Sequence, residues 1–179
     1  MEKKILVVVD MQNDFIDAAL GTTEAQAIVP AVVERIRQCR EAGWTLIATL
    51  DTHSPDYMNT PEGKKLPVPH CIKGTPGWQL NADVAAALGS DVLLLEKPTF
   101  GSTQLPWLIS DLAQDSEHLT IELLGLCTDI CVVSNALLLK AHFLHADIAV
   151  RRSCCAGAAA KSCCAALRRA GTAAATGFR

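Results

Sequence analysis

The segment 122–136, written ELLGLCTDICVVSNA, carries two thiols, Cys127 and Cys131, where an apolar run meets a polar turn. We predict a strand, a tight turn and then a helix that Thr128 or Asp129 caps with a side-chain oxygen. Cys131 then lies in the first turn of that helix. Because the unpaired N–H groups there favour negative charge, they should lower the pKa of the Cys131 thiol and make it a nucleophile.

Three charged residues stand at the ends of other apolar runs: Asp10, Asp51 and Lys97. In an open parallel sheet, ligands bind outside the carboxyl ends of the strands, so these side chains should meet at one edge. The Lys97 ammonium should then lower the pKa of Cys131 further, and Asp10 could accept or relay its proton. Backbone N–H groups of the same turn could stabilise an oxyanion. Together these residues predict attack of a thiolate on a carbonyl carbon.

A second set of residues has the chemistry of a metal site. Asp51 and His53 leave the second apolar run, and His70 follows in a proline-stiffened loop. One carboxylate and two imidazoles suit Zn, Fe or Mn, with water completing the coordination shell. We therefore expect a divalent metal beside the thiol, with zinc as the first choice. The other histidines are expected to be structural; they are His118, His142 and His145.

These residues need a scaffold that brings strand ends together. Short β-branched runs without alternation predict buried parallel strands at 5–9, 45–50, 92–95, 119–124 and 148–150. Helix-like segments lie between and after them at 23–42, 80–88, 105–112, 128–144 and 156–170. The alternation predicts an α/β fold: one three-layer α/β/α domain over residues 1–179, with a doubly wound, mostly parallel, Rossmann-like sheet of five or six strands. The sixth strand is left open because the C-terminal segment 171–179 is poor in β-branched residues.

Composition excludes several classes of function. The 179 residues are 50% hydrophobic with a net charge of -3 and no run of Lys or Arg, so we expect no nucleic-acid partner. The apolar runs are too short to span a bilayer and no leader pattern is present, so we expect a cytoplasmic protein without membrane contact. The eight cysteines form no CxxC pair and should be mostly buried and reduced, the pairs Cys154-Cys155 and Cys163-Cys164 included. Arg151 and Arg152 follow the fifth strand and could meet an anionic group, but a solvated pair is expected.

Three segments around these residues resemble the signature segments of the isochorismatase-like cysteine hydrolases, the superfamily that contains nicotinamidase. They are VVDMQNDF at 8–15, LEKPTFGS at 95–102 and GLCTDICV at 125–132. The resemblance implies that Asp10, Lys97 and Cys131 form a triad that hydrolyses a carboxamide through a thioester. It also implies a cis peptide bond at Leu126-Cys127 and an oxyanion hole from the N–H groups of Cys127 and Cys131.

The nicotinamidase branch of this superfamily resembles the layout of the second set of residues. The resemblance implies that Asp51, His53 and His70 hold the metal, with Glu62 as a candidate for an additional, variable ligand. It further implies that the metal anchors the pyridine nitrogen of nicotinamide and does not generate the nucleophile. Members of the family are often dimers or tetramers, so a homo-oligomer is expected.

The expected substrate pocket needs an aromatic wall against which a flat ring can stack. Pro67 stands where some nicotinamidases carry an aromatic residue three positions before the last ligand histidine. Phe15, Trp78 and Phe100 are the candidates that could supply the wall instead.

The leading hypothesis is a metal-containing cysteine amidohydrolase whose partner is a small-molecule amide, with nicotinamide as the best candidate. A rival within the family is hydrolysis of another small amide, a carbamoyl or ureido compound, or an isochorismatase-type vinyl ether. A redox or metal-handling thiol protein is a rival of another class, and it predicts several thiols of similar reactivity. A dinucleotide-binding module is disfavoured, because no GxGxxG follows the first strand.

Overall fold

A computed structural model describes residues 2–158 and 173–174, and strands at the centre of the molecule form one sheet. The strands are β1 (Glu2–Val9), β2 (Thr45–Asp51), β3 (Leu93–Lys97), β4 (His118–Leu126), β5 (Asp147–Ala156) and β6 (Ala173–Ala174). The spatial order is β3-β2-β1-β4-β5-β6, and each neighbouring pair is parallel. The predicted parallel sheet is confirmed.

Helices cover both faces of the sheet and complete three layers. One face packs against α1 (Asn13–Ile16), α2 (Thr23–Glu41) and α3 (Ala82–Leu88), and the other against α4 (Gln104–Ala113) and α5 (Val133–His142). Among the residues described, no helix is long and apolar enough to cross a membrane. The cytoplasmic location and the homo-oligomer stay predictions.

The central strand β1 shows why these strands are continuous apolar runs. Leu6 and Val8 belong to the core cluster beneath α2, whereas Ile5, Val7 and Val9 belong to the cluster beneath α4 and α5. All five side chains are fully buried. Because successive side chains of a strand point to opposite faces, a strand covered on both sides needs apolar residues at every position.

Some elements differ from the predicted ones. A π-helical turn, Thr128–Val132, replaces the start of the predicted helix 128–144, and neither α1 nor the 3-10 turn Tyr57–Asn59 was predicted. Ala156 ends β5 and residues 157 and 158 are not helical, so the predicted helix 156–170 is wrong over its first three residues. Residues 159–170 lie outside the described part of the chain. The pair Cys163-Cys164 also lies outside it. The sixth strand is present as two residues that pair with β5.

Gly125 allows β4 to approach β1 closely just before the turn that carries the thiols. It pairs with Val9 and has a φ of 118°, a conformation that favours glycine. A Cβ at this position would collide with the Val9 carbonyl oxygen. The turn after β4 is therefore held against the end of β1, where Asp10 lies.

Glu122 of β4 is a buried carboxylate held by two arginines. Arg35 of α2 donates from Nε and a terminal nitrogen at 2.8 and 2.9 Å, and Arg151 of β5 donates in the same way at 3.0 and 2.7 Å. The expectation that Arg151 is solvated is therefore wrong, because β5 directs it to an acid on the neighbouring strand. Although burial acts the other way, these arginines hold the pKa of Glu122 below its ordinary value of 4.5.

Glu122→Gln should lower the free energy of unfolding at neutral pH by about 3 kcal/mol, because two guanidinium groups lose their buried partner. Since the folded pKa of Glu122 is depressed, its contribution is present above pH 4.5 and is lost as the pH falls below that value. Urea unfolding of wild type and variant at several pH values measures the difference, which should shrink on acidification.

The matched control is Glu96→Gln, which breaks the exposed ion pair between Glu96 and Lys73. Surface pairs contribute less than about 1 kcal/mol, so this variant should be close to wild type. Equal losses for the two variants, or a difference that does not depend on pH, would contradict the role assigned to Glu122.

Candidate active site

Lys97, the last residue of β3, lies at the centre of the site. Its Nζ is 2.6 Å from Asp10 Oδ2, 3.4 Å from Asp51 Oδ1 and 3.5 Å from Cys131 Sγ. Only 1% of the residue is exposed. Burial alone would favour the neutral amine, but the nearby carboxylates and the thiol raise the pKa of Lys97 above its ordinary value of 10.5, so it stays a cation. The structure thus brings the predicted acid, ammonium and thiol together.

Asp10 follows β1 and is held from two sides. Its N–H donates to the Thr49 carbonyl oxygen at 3.2 Å, and the Thr49 hydroxyl donates to Asp10 Oδ1 at 2.6 Å. Its φ of 49° is rare for a residue other than glycine and costs about 1–2 kcal/mol. Burial raises the pKa of Asp10, while the Lys97 ammonium opposes the rise. A carboxylate with a raised pKa is a better proton acceptor than an exposed one.

The turn that carries Cys131 differs from the predicted capped helix. Cys127 occupies the N-cap position of the π-helical turn, and no side chain caps it. Asp129 Oδ1 instead accepts from the Ala158 N–H at 2.9 Å, which ties the turn to the segment after β5. The capping role expected of Thr128 or Asp129 is therefore wrong. The peptide bond between Leu126 and Cys127 is cis, as the resemblance implied.

The pKa of Cys131 shifts in the direction opposite to the predicted one. Burial raises it well above the ordinary thiol value, the Asp10 carboxylate raises it further, and the Lys97 ammonium opposes them. The expectation of a lowered pKa gave weight to Lys97 and the helix N-terminus but not to burial, which leaves only 4% of the residue exposed. A raised pKa favours the neutral thiol over the thiolate at this position.

Asp51, His53 and His70 form a cluster that could hold a metal. Their ligand atoms all lie within 4.8 Å of one another. Asp51 Oδ2 is 3.0 Å from His53 Nε2 and 3.5 Å from His70 Nε2, and Glu62 Oε1 is 3.9 and 4.0 Å from the same two nitrogens. Converging carboxylate oxygens and imidazole nitrogens are the donor set that Zn, Fe and Mn accept. The residues present therefore fit a divalent ion.

Neighbouring groups already orient these donor atoms. His70 Nδ1 lies 2.8 Å from the Val68 carbonyl oxygen and donates to it, which leaves Nε2 available as the ligand atom. Gln12 holds the backbone of Asp51, accepting from its N–H at 2.8 Å and donating to its carbonyl oxygen at 2.9 Å. Although burial acts the other way, the nearby His53 and His70 rings and the Lys97 ammonium hold the pKa of Asp51 below its ordinary range.

The sequence reasoning missed three residues that support this cluster. They are Gln12, Asp14, whose Oδ2 accepts from the Cys71 N–H at 2.7 Å, and Tyr57, whose ring lies 4.6 Å from His53 and 5.0 Å from His70. Gln12 and Asp14 stand inside the segment VVDMQNDF, next to Asp10. Polar residues in that segment without a role in the predicted chemistry could have been recognised as supporting residues. Tyr57 carried no such signal.

A cavity of about 270 Å³ opens above the thiol and the metal ligands. Its lining includes Cys127 and Cys131 together with Asp51, Glu62 and His70. Most of the remaining wall is apolar: Phe15, Leu20, Ala25, Leu66, Phe100, Leu126 and Ile130. Among the described residues of this lining, none is Lys or Arg.

Two of the three aromatic candidates, Phe15 and Phe100, line this cavity. The third, Trp78, is not among the described lining residues. Its indole N–H donates to Thr52 Oγ1 at 2.9 Å, and its carbonyl oxygen accepts from Gln12 at 2.7 Å. Trp78 therefore supports the loop after β2 instead of the substrate wall.

The other buried thiols lie in unreactive surroundings. Burial raises the pKa of Cys39 to about 11 and also raises those of Cys71 and Cys154. All three belong to the hydrophobic core cluster beneath α2. These thiols are apolar core residues, which argues against a protein that uses many cysteines for redox chemistry.

Comparisons with known proteins agree with the geometry. The model of the isochorismatase domain matches residues 4–176. An uncharacterized isochorismatase family protein, PncA of Bacillus subtilis, is 30% identical over 145 residues, which cover 75% of this chain and 76% of that protein.

Solved structures share the fold over almost the whole chain. The nicotinamidase/pyrazinamidase PncA from Bacillus subtilis has a TM-score of 0.80 at 25% identity, covering 97% of this chain and 100% of that chain. The N-carbamoylsarcosine amidase from Thermoplasma acidophilum has a TM-score of 0.79 at 27% identity, covering 96% and 95%. Structures with nearly the same TM-score to this chain therefore include amidases that are named for different substrates.

The purified protein should bind one divalent ion per chain, and His53→Ala should weaken zinc binding by at least about 100-fold, because one of three converging donors is lost. Competition with a chromophoric chelator measures the affinity, and circular dichroism checks the fold. His118→Ala, which removes an exposed histidine paired with Asp147, is the control and should bind as wild type does. Equal affinities for the His53 variant and wild type would exclude this site.

Proposed function

Because this chain belongs to the isochorismatase family, we propose that it is a cysteine amidohydrolase that converts nicotinamide to nicotinate and ammonia. The observation that carries the proposal is the contact of the Lys97 ammonium with both Asp10 and Cys131. Cys131 in turn lines a cavity that is also lined by Asp51 and His70 of the metal-ligand cluster. The similarity to a nicotinamidase/pyrazinamidase structure supports hydrolysis of an amide carbon–nitrogen bond.

In the proposed first half-reaction, Asp10 takes the proton of Cys131 as Sγ attacks the carbonyl carbon and forms a carbon–sulfur bond. The backbone N–H groups of Cys127 and Cys131 are the proposed donors to the oxyanion. Asp10 then gives the proton to the leaving nitrogen, the carbon–nitrogen bond breaks, and ammonia departs from a thioester. Lys97 keeps its proton throughout and balances the charge on Asp10 and on sulfur.

In the second half-reaction, Asp10 accepts a proton from water as the oxygen attacks the thioester carbonyl. Collapse of the tetrahedral intermediate breaks the carbon–sulfur bond, releases the carboxylic acid and returns a proton to Cys131. In this scheme the attacking water takes the place that ammonia leaves.

The choice of nicotinamide rests on the lining of the cavity. Phe15 and Phe100 offer aromatic surface to a flat ring, and the described lining contains no Lys or Arg to receive an anionic substrate. A divalent ion held by Asp51, His53 and His70, with Glu62 beside them, would supply an open coordination position for a ring-nitrogen lone pair. These features favour an uncharged aromatic carboxamide over a carbamoylated amino acid.

Hydrolysis of a carbamoyl compound is the second candidate, because the N-carbamoylsarcosine amidase is 27% identical to this chain. A panel of nicotinamide, pyrazinamide and N-carbamoylsarcosine, assayed by ammonia release, separates the two. We expect kcat/KM for nicotinamide to exceed that for the anionic carbamoyl compound by at least about 100-fold, because Phe15 and Phe100 offer stacking surface that only a flat aromatic ring uses. Preference for N-carbamoylsarcosine would overturn the nicotinamide proposal.

Cys131→Ala should lower kcat/KM for amide hydrolysis by at least about 1,000-fold with the fold and metal content unchanged, because the thiol that contacts Lys97 is lost. Cys155→Ala, which changes a half-buried cysteine of β5, is the control and should keep near wild-type activity. Substantial turnover by the Cys131 variant would remove this residue from the mechanism.

Iodoacetamide labelling, mapped by mass spectrometry, tests the choice of nucleophile separately. Cys131 should be alkylated first, because it lines the cavity and lies beside Lys97. Several cysteines reacting at similar rates would favour the redox or metal-handling thiol protein.

Asp10→Asn tests the proton transfer. It should lower kcat/KM for nicotinamide at least about 100-fold, because the leaving nitrogen loses its proton donor. Wild-type kcat/KM in this variant would exclude Asp10 as the proton carrier.

A further inference from the structure

Asn135 is a fully buried amide on α5, four residues after Cys131. Its Nδ2 donates to the carbonyl oxygens of Cys131 at 2.9 Å and Phe100 at 3.3 Å, and its Oδ1 accepts from the Ser102 N–H at 2.9 Å. The partners fix the orientation of the amide, because two carbonyl oxygens require the amino group and an N–H requires the oxygen. One side chain therefore joins the nucleophile turn to the loop 98–102.

The loop 98–102 connects Lys97 to α4 and carries Phe100, which lines the cavity. Gly101 brings this loop close to α5: a Cβ there would lie 3.1 Å from Ser134 Cβ and 2.8 Å from Leu138 Cδ1. The close approach of Gly101 to α5 and the hydrogen bonds of Asn135 are two independent observations. Both show that the loop packs against α5, the helix that follows the Cys131 turn. The loop begins directly after Lys97, which is fixed by its contacts with Asp10 and Cys131.

We propose that Asn135 is a positioning residue that sets the place of the Phe100 wall relative to Cys131, and thereby the fit of a flat amide substrate. The proposal rests on the proposed function for the substrate, but the link between helix and loop stands on the contacts alone. Phe100 is 46% exposed, so packing fixes its side chain only in part. Asn135 binds the backbone carbonyl oxygen of the same residue. Without that bond, the wall keeps its aromatic ring but loses its fixed distance from the thiol.

A positioning role predicts a change in KM that a general loss of stability does not produce. Asn135→Ala should raise KM for nicotinamide at least about 10-fold while kcat stays within about threefold, because stacking on Phe100 contributes to substrate binding but Cys131 keeps its contact with Lys97. Iodoacetamide should still modify Cys131 in every chain. If kcat falls in proportion to the fraction of chains in which iodoacetamide labels Cys131, and KM stays constant, Asn135 has only a structural role.

A double-mutant cycle tests whether Asn135 acts through Phe100. Phe100→Ala should raise KM by a similar factor, and the double variant should be no worse than Phe100→Ala alone, because the second change has nothing left to position. Additive effects would overturn the proposal. Leu137→Ala is the matched control: it changes an exposed side chain of the same helix and should leave KM unchanged.

Asn135→Asp is the second variant and is nearly isosteric. It keeps an acceptor for the Ser102 N–H but places an oxygen against the carbonyl oxygens of Cys131 and Phe100, so its KM should rise at least as much as that of the Ala variant. Wild-type kinetics for the Asp variant would show that the amide donor is not needed and would overturn the proposal.

Hydrogen exchange of the Ser102 amide provides a readout that does not depend on substrate. It should be at least about 10-fold faster in Asn135→Ala than in wild type, with core amides of β1 unchanged, because the acceptor Oδ1 is lost. An unchanged Ser102 rate would overturn the link between helix and loop. If the wild-type protein releases ammonia from none of the tested amides, the proposed function is overturned instead. The link between α5 and the loop 98–102 is then tested by the exchange rate of the Ser102 amide.

Discussion

The charge of the buried Lys97 ammonium is the constraint on which the site depends. Its cation lies between the carboxylates of Asp10 and Asp51, which come from the ends of two neighbouring strands, and it touches the thiol of Cys131. Without the cation, two buried carboxylates would face each other with no compensating charge, and one would have to bind a proton. Asp51 divides its two oxygens between Lys97 and the histidines, so one carboxylate couples the thiol chemistry to the metal ligands. The two parts of the site are therefore electrostatically one unit.

The strand order explains why this unit forms where it does. β1 lies between β2 and β4. The connection from β1 to β2 runs through α2 on one face, and the connection from β4 to β5 runs through α5 on the other, so a crevice opens at the carboxyl end of β1. Asp10 and the turn carrying Cys131 stand on the two sides of that crevice, drawn together by the close pairing of Val9 with Gly125. Residues that are distant in sequence thus become neighbours because of topology, before any side-chain contact is made.

The sequence was sufficient for features that local pattern determines. Apolar runs predicted the parallel sheet, and the residues at their ends are the ones that converge around Lys97. Features set by the surroundings were not predictable. The pKa of Cys131 is governed by its depth in the folded chain, Arg151 finds an acid on the next strand, and Trp78 is held by a loop whose path has no periodic signal. Each depends on contacts between segments far apart in the chain.

The supporting residues that sequence reasoning overlooked include two buried amides, Gln12 and Asn135. Each binds backbone groups of a segment that carries chemistry, Asp51 in one case and the Cys131 turn with the Phe100 loop in the other. An amide can offer a donor and an acceptor together without bringing a charge. A charged residue in either place would add to the balance among Lys97, Asp10 and Asp51, and would shift the proton affinities on which the thiol depends. Neutral side chains therefore fix the geometry and leave the electrostatics to the three charged groups, which is why a search for reactive residue types does not detect them.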